Sequence, residues 1–143
     1  MKKIAIGSDH AGYQLKEHLI KELEKKGMEV VDFGCSSEES IDYPDYAHPV
    51  SEYVEKNKTQ GILICGSGNG ISMAANKHQE IRAALCWTEK IAELARQHNN
   101  ANIVAIPARF IDRKKAEKII DVFFKTDFEG GRHQKRVNKI SCK

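Results

Sequence analysis

The chain of 143 residues contains no apolar run approaching the roughly 20 residues that a membrane-crossing helix needs. Its opening, MKKIAIGSDH, puts only Ile4, Ala5 and Ile6 between a basic pair and the polar Ser8 and Asp9, too little for a secretory signal core. An excess of one charge is also missing: 23 Lys and Arg stand against 20 Asp and Glu, a net +3. That balance argues against a nucleic-acid or membrane partner. The four cysteines, Cys35, Cys65, Cys86 and Cys142, form no C-x-x-C pair, so neither a zinc site nor a disulfide framework is indicated. A reducing, cytoplasmic setting is therefore expected. Repeats, low-complexity tracts and Pro/Gly/Ser linkers are absent too. A chain of this length buries about two-thirds of its unfolded surface in one core, so residues 1–143 are expected to form one domain.

What is present is a regular alternation. The short apolar runs KIAIG (3–7), MEVVDFG (28–34), GILICG (61–66), RAALCW (82–87) and NIVAIP (102–107) each read as a strand of about five residues. Between the first two, Leu15, Leu19, Ile20 and Leu23 share a helical face, and Gly27 sits where a C-terminal cap belongs. Ala116, Ile119, Ile120, Phe123 and Phe124 repeat the pattern behind an Asp112 N-cap, as do Ile91, Leu94 and Ala95 behind Thr88. Strands separated by helices imply parallel pairing through right-handed crossovers. The expected fold class is therefore α/β, a three-layer α/β/α sandwich with a five-stranded parallel sheet. Strand order stays open. In such sheets ligands bind beyond the carboxyl ends of the strands, so the segments after the apolar runs are where chemistry belongs.

The segment CGSGNG follows the third run. Gly66, Gly68 and Gly70 allow positive φ and close ligand approach, and a helix starting near Gly70 turns free N–H groups into the same space, an anion cradle. The G-x-G-x-G spacing departs from the dinucleotide fingerprint, and no Gly-Lys-Ser/Thr follows as in a phosphate-binding Walker loop. Cys65 stands at the mouth, where the helix end is expected to lower its pKa toward thiolate. A small buried hydrophobe at a strand end is the plainer reading. GSDHAG sets Asp9 and His10 after the first run, as proton-moving groups or a phosphate contact, or simply as a helix cap. DYPDYAH (42–48) offers Tyr43 as a sugar-binding hydroxyl beside a turn at Pro44.

Two further segments carry charge or imidazole. EGGRHQKRVNKI (129–140) spaces Arg132 and Arg136 four apart, placing two guanidinium forks on one helical face that suits a phosphate dianion. Gly130 and Gly131 would free its first turn for close contact; a solvated basic helix is the alternative. RQHNNAN (96–102) carries His98 and Asn99 just before the fifth run, away from the other candidates. A functional His98 therefore points to a site completed by another subunit, while an asparagine-rich left-handed cap accounts for the segment equally.

Taken in order and spacing, GSDHAG, DYPDYA, ICGSGNGISMAANK, RQHN and EGGRHQKR closely resemble the ribose-5-phosphate isomerase type B family, which also includes galactose-6-phosphate and allose-6-phosphate isomerases. The resemblance covers nearly the whole chain. It implies a Rossmann-like α/β/α sandwich that acts on a phosphorylated sugar without metal or organic cofactor. It also implies a homodimer or homotetramer whose active sites are shared between subunits. In other branches of the family a glutamate further along the loop is the base; here GISMAAN holds no acid, and the resemblance gives Cys65 the task of moving a proton between C1 and C2 of the open-chain sugar. Ser67 would move protons between the C1 and C2 oxygens, and the backbone of Gly66, Gly68, Asn69 and Gly70 would stabilise the enediolate. Asp9, His10 and His98 are implied in ring opening, Tyr43 and Asn99 in sugar contacts, and Arg109, Arg132 and Arg136, with His10, in phosphate binding. Asn100, where many relatives carry aspartate, and Pro107, where glycine is frequent, leave the length of the substrate open.

The expected activity is the interconversion of ribose 5-phosphate and ribulose 5-phosphate, an aldose–ketose isomerisation of the pentose phosphate pathway. A hexose-phosphate isomerase is the alternative within the same chemistry. A non-catalytic module holding a nucleotide or flavin through GSGNG is the alternative outside it, with Trp87 and scattered tyrosines giving no flavin sandwich.

Overall fold

A computed structural model of the chain, describing residues 3–143, places all five apolar runs in one parallel sheet. In chain order the elements are β1 (Lys3–Ser8), a 3-10 turn (His10–Gly12), α1 (Tyr13–Lys25), β2 (Glu29–Asp32), α2 (Pro44–Asn57), β3 (Gln60–Cys65), α3 (Asn69–Ala75), β4 (Ala83–Leu85), α4 (Glu89–Asn99), β5 (Ile103–Pro107), α5 (Arg113–Lys125) and α6 (Arg132–Val137). The sheet order is β2-β1-β3-β5-β4. After β1 the chain steps outward to β2, then returns across β1 to form β3. That reversal opens a crevice between the carboxyl ends of β1 and β3, the place where open α/β sheets bind ligands. Register puts Ser8 opposite Ile64 and Cys65 opposite Pro107.

Period-two alternation sends each strand's side chains into two cores. From β3, Ile62 and Ile64 join Leu19, Ile119 and Phe123 on the face covered by α1, α4 and α5. Leu63 and Cys65 join Val50, Val54 and Ile71 under α2 and α3. With both faces covered, the central strands are apolar almost throughout, as parallel sheets require. The helix signals act where their chemistry predicts. Asp112 Oδ1 accepts from Lys115 N–H at 2.8 Å, Thr88 Oγ1 accepts from Ile91 N–H at 3.2 Å, and Gly27 takes φ 85° just beyond α1. One face differs from expectation: α4 turns Ala92 and Ala95 to the core and leaves Ile91 exposed. Two methyl side chains let the helix sit close, and the larger residue faces outward beside a solvent-facing Trp87–Phe110 ring pair.

Lys16 on α1 is fully buried, and its Nζ donates to both oxygens of Asp32 at the end of β2 (3.0 and 2.9 Å) and to Glu17 (2.8 Å). Asp32 in turn accepts from Gly34 N–H at 2.9 Å, fixing the start of the long segment that leads to Tyr43. The ion pair thus positions the segment running over the crevice. The core itself rests on large apolar groups such as Phe123, which is fully buried. Phe123→Ala is expected to lower unfolding free energy by about 3–5 kcal/mol in urea denaturation, and a loss below about 1 kcal/mol would contradict this packing account.

Candidate active site

Backbone contacts assemble the carboxyl ends of β1 and β3 before any side chain takes part. Asp9 N–H donates to Ile64 O at 3.1 Å, and a Cβ on Gly12 would come within 2.7 Å of the Ile64 side chain, so the turn after β1 lies pressed against the end of β3. Asp9 is buried and caps that turn, its Oδ1 accepting from Gly12 N–H at 3.1 Å. The capping reading of Asp9 therefore holds, and it leaves the carboxylate near enough to Cys65 for its charge to act on the thiol. His10 Nδ1 accepts from Ile41 N–H at 3.3 Å, which leaves Nε2 to carry the proton of the neutral ring.

The glycine loop is built differently from expectation at two of its three glycines. Gly68 takes the positive φ, 79°, whereas Gly66 and Gly70 do not. Those two are required by close approach. A Cβ on Gly66 would stand 3.1 Å from the Arg109 guanidinium, and one on Gly70 would stand 2.5 Å from the Tyr43 ring. Arg109 is held there by its own N–H on Gly66 O (3.0 Å), next to Ala108 N–H on Cys65 O (2.9 Å). Ser67 Oγ accepts from the backbone N–H of Asn69 (3.3 Å) and from its Nδ2 (3.2 Å), so the hydroxyl proton points elsewhere. Cys65, Ser67, the loop backbone, Asp9, His10, Tyr43 and Arg109 thus share one edge of the sheet.

The electrostatics of Cys65 correct the expected thiolate. Burial pushes the thiol up, the N–H groups of Ile71, Gly68 and Ser67 aimed at the sulfur pull it down, and the Asp9 charge raises it again; the net shift is upward. The helix end is there, but α3 is short and Cys65 is only 5% exposed, so lost hydration outweighs the donors. The other thiols are free as well. Burial alone pushes Cys86 up to about 12, which makes it an inert core residue.

His98, Asn99, Arg132 and Arg136 lie elsewhere. His98 ends α4 at the amino edge of the sheet and stacks on His133 of α6, ring centroids 4.3 Å apart. Thr126 O accepts from Arg96 Nε at 3.0 Å and Gln97 O from Glu129 N–H at 3.1 Å, which moors the segment before α6 to the same edge. Arg132 and Arg136 are exposed on that helix. Gly130 and Gly131, at φ 70° and 53°, have open space around them, so they serve the chain reversal and not a close contact. Along the six residues of β3 the two groups stand roughly 20 Å apart, more than one phosphosugar can bridge. Asn100, at φ 48°, is the left-handed cap expected of that asparagine run.

Comparison with known proteins bears on this arrangement. A family model described as ribose/galactose isomerase matches residues 4–140. The chain belongs to that family. It is 46% identical over 143 residues to ribose-5-phosphate isomerase B of Escherichia coli strain K12, covering 99% of this chain and 96% of that protein. A solved ribose 5-phosphate isomerase from Thermotoga maritima has TM-score 0.96 at 52% identity, covering 98% of this chain and 97% of its own. The Mycoplasma genitalium ribose-5-phosphate isomerase B, solved with bound ribulose-5-phosphate, has TM-score 0.93 at 48% identity, covering 96% and 93%. The α/β fold with its five-stranded parallel sheet is thus that of this isomerase family.

Sequence reasoning gave His133 and Glu129 no role, although both stand in the quoted EGGRHQKR segment; the signal was the histidine one residue after Arg132. The state of Cys65 is testable by site-resolved iodoacetamide labelling. Because burial favours the neutral thiol, Cys65 is expected to react more slowly at pH 7 than exposed Cys142 and to gain rate with pH beyond the ordinary thiol range. Fastest labelling at Cys65 at neutral pH would contradict the upward shift.

Proposed function

We propose that the chain is a ribose-5-phosphate isomerase, working as one domain over residues 1–143 and interconverting ribose 5-phosphate and ribulose 5-phosphate. The observation that carries this is a buried thiol at the end of β3 with three backbone N–H groups aimed at it, beside an acid and a histidine from the end of β1. The family relationship and the product bound in the Mycoplasma genitalium relative support the same substrate class.

In the proposed mechanism the open-chain aldose lies with C1 and C2 over Cys65. The thiol first loses its proton to solvent; the thiolate then takes the proton from C2, the C–H pair becomes the C1–C2 double bond, and the carbonyl pair moves onto O1. A thiolate that is costly to form is a strong base once formed, so the raised pKa serves this step. The cradle N–H groups receive the oxyanion, and losing one such donor typically costs about 3 kcal/mol. Ser67, already accepting two hydrogen bonds from Asn69, passes a proton from O2 to O1. Cys65, its thiol proton exchanged with solvent while the enediolate persists, then gives a proton to C1, and the ketose results. Asp9, His10 and His98 assist ring opening, with Tyr43 and Asn99 on the sugar.

Arg109 reaches the phosphate from the same chain, and Arg132, Arg136 and His98 come from a second subunit. Their position at the opposite edge supports this sharing, as do the exposed apolar side chains of Ile91 and the Trp87–Phe110 ring pair. We place the enzyme in the pentose phosphate pathway and in the cytoplasm. No described helix is long and apolar enough to cross a membrane, and the cysteines are free thiols.

Rates on ribose 5-phosphate, allose 6-phosphate and galactose 6-phosphate are expected to favour the pentose. Preference for a hexose keeps the chemistry and overturns the substrate. Sharing has its own test. Cys65→Ala and His98→Ala chains, each inactive alone, are expected to regain about one quarter of wild-type activity when unfolded together and refolded as random dimers, because each mixed dimer keeps one intact site. A mixture that stays inactive while forming dimers would place the whole site within one chain.

A further inference from the structure

At the amino edge, the last turn of α4, the loop before α6 and the first turn of α6 bring His98, Glu129 and His133 together. The imidazole planes are inclined by 12° with centroids 4.3 Å apart, and Glu129 Oε1 stands 3.4 Å from a His133 ring nitrogen. One donor atom from each of the three residues lies within 4.8 Å of the other two. A tetrahedral Zn2+ with bonds of ~2.0–2.1 Å spaces its donors about 3.4 Å apart, so the set closes once the two stacked rings turn out of parallel and aim their nitrogens at one point. The supporting backbone is already fixed. Glu129 N–H bonds Gln97 O at 3.1 Å, His133 N–H bonds Gly130 O at 3.0 Å, and the positive φ of Gly130 and Gly131 folds the chain back so that Glu129 meets His133.

We propose that this cluster is an inhibitory site for a divalent transition cation of the Zn2+ type. Two imidazoles and one carboxylate are borderline donors that favour Zn2+, Co2+ or Ni2+ over Mg2+ and Ca2+, which prefer all-oxygen shells. His98 and His133 are half-buried while Glu129 is exposed, so the ion enters from solvent and keeps a position open to water. The adjacent Arg132 charge opposes the cation and Glu129 offsets it, which makes the site weaker than a structural zinc centre and reversible. Occupation withdraws His98 and crowds Arg132, hence the inhibition. That last step rests on the shared-site function proposed above; cation binding does not.

Full-length wild type, Glu129→Gln and His133→Asn are dialysed against Zn2+, with Mg2+ in parallel, and bound metal per chain is measured together with isomerase rate. Both variants are expected to bind one equivalent of Zn2+ less. Glu129→Gln, an exposed change, should keep its basal rate and need at least roughly tenfold more Zn2+ for half-inhibition. Unchanged stoichiometry and inhibition in both variants would overturn the proposal and assign zinc to other groups such as Cys65. Equal Mg2+ occupancy would overturn it too. If the metal-free protein shows no isomerase activity, the functional reading fails, while loss of the equivalent in both variants still supports the cation site.

Discussion

The site depends on the close approach of neighbouring chain to glycine backbone around the end of β3. Gly12 lies against Ile64 and Gly70 under the Tyr43 ring, at distances that leave no room for a Cβ, and Gly66 lies under Arg109, where a Cβ would be crowded. These contacts draw segments from the ends of β1, β2, β3 and β5 into one wall around the Cys65 thiol. Arg109 and Tyr43 are then positioned over the glycine backbone while remaining exposed to an incoming substrate. Preorganisation of this kind lets binding energy act on the reacting atoms. The Lys16–Asp32 pair beneath extends the same logic to the segment leading to Tyr43.

At Cys65 two opposed effects meet, and burial wins over donated hydrogen bonds. A thiol ionised at rest would be reactive toward every electrophile in the cell. One kept neutral by desolvation ionises sparingly, and its thiolate, once formed, is the stronger base, which suits the proposed removal of a proton from carbon. The N–H groups aimed at the sulfur mark out the region in which the proposed enediolate charge would develop, so one small cradle would serve both anions in turn.

Much of this was legible in the residues. Apolar runs gave all five strands to within a few residues, and Asp112, Thr88 and Gly27 marked helix ends correctly because caps are local chemistry. The strand order and the resulting crevice between β1 and β3 were not legible, since crossover lengths fit several orders. The direction of the Cys65 shift was missed because sequence shows the helix end but not the depth of burial. Gly66 and Gly70 suggested backbone freedom, and the reason they are glycine lies in Arg109 and Tyr43, far away in sequence. His98 was seen to lie apart from the other candidates; that Arg132 and Arg136 join it there follows from the reversal at Gly130–Gly131 and could not be read from spacing.

Cys65 is proposed to carry the proton between the two carbons. Incorporation of solvent deuterium at C1 of ribulose 5-phosphate, followed by mass spectrometry during turnover of ribose 5-phosphate in D2O, addresses it directly. Incorporation is expected with the wild type, and background levels with Cys65→Ala under conditions where that variant still binds the phosphosugar. Incorporation by Cys65→Ala at the wild-type rate would contradict it and move the base to another group in the crevice.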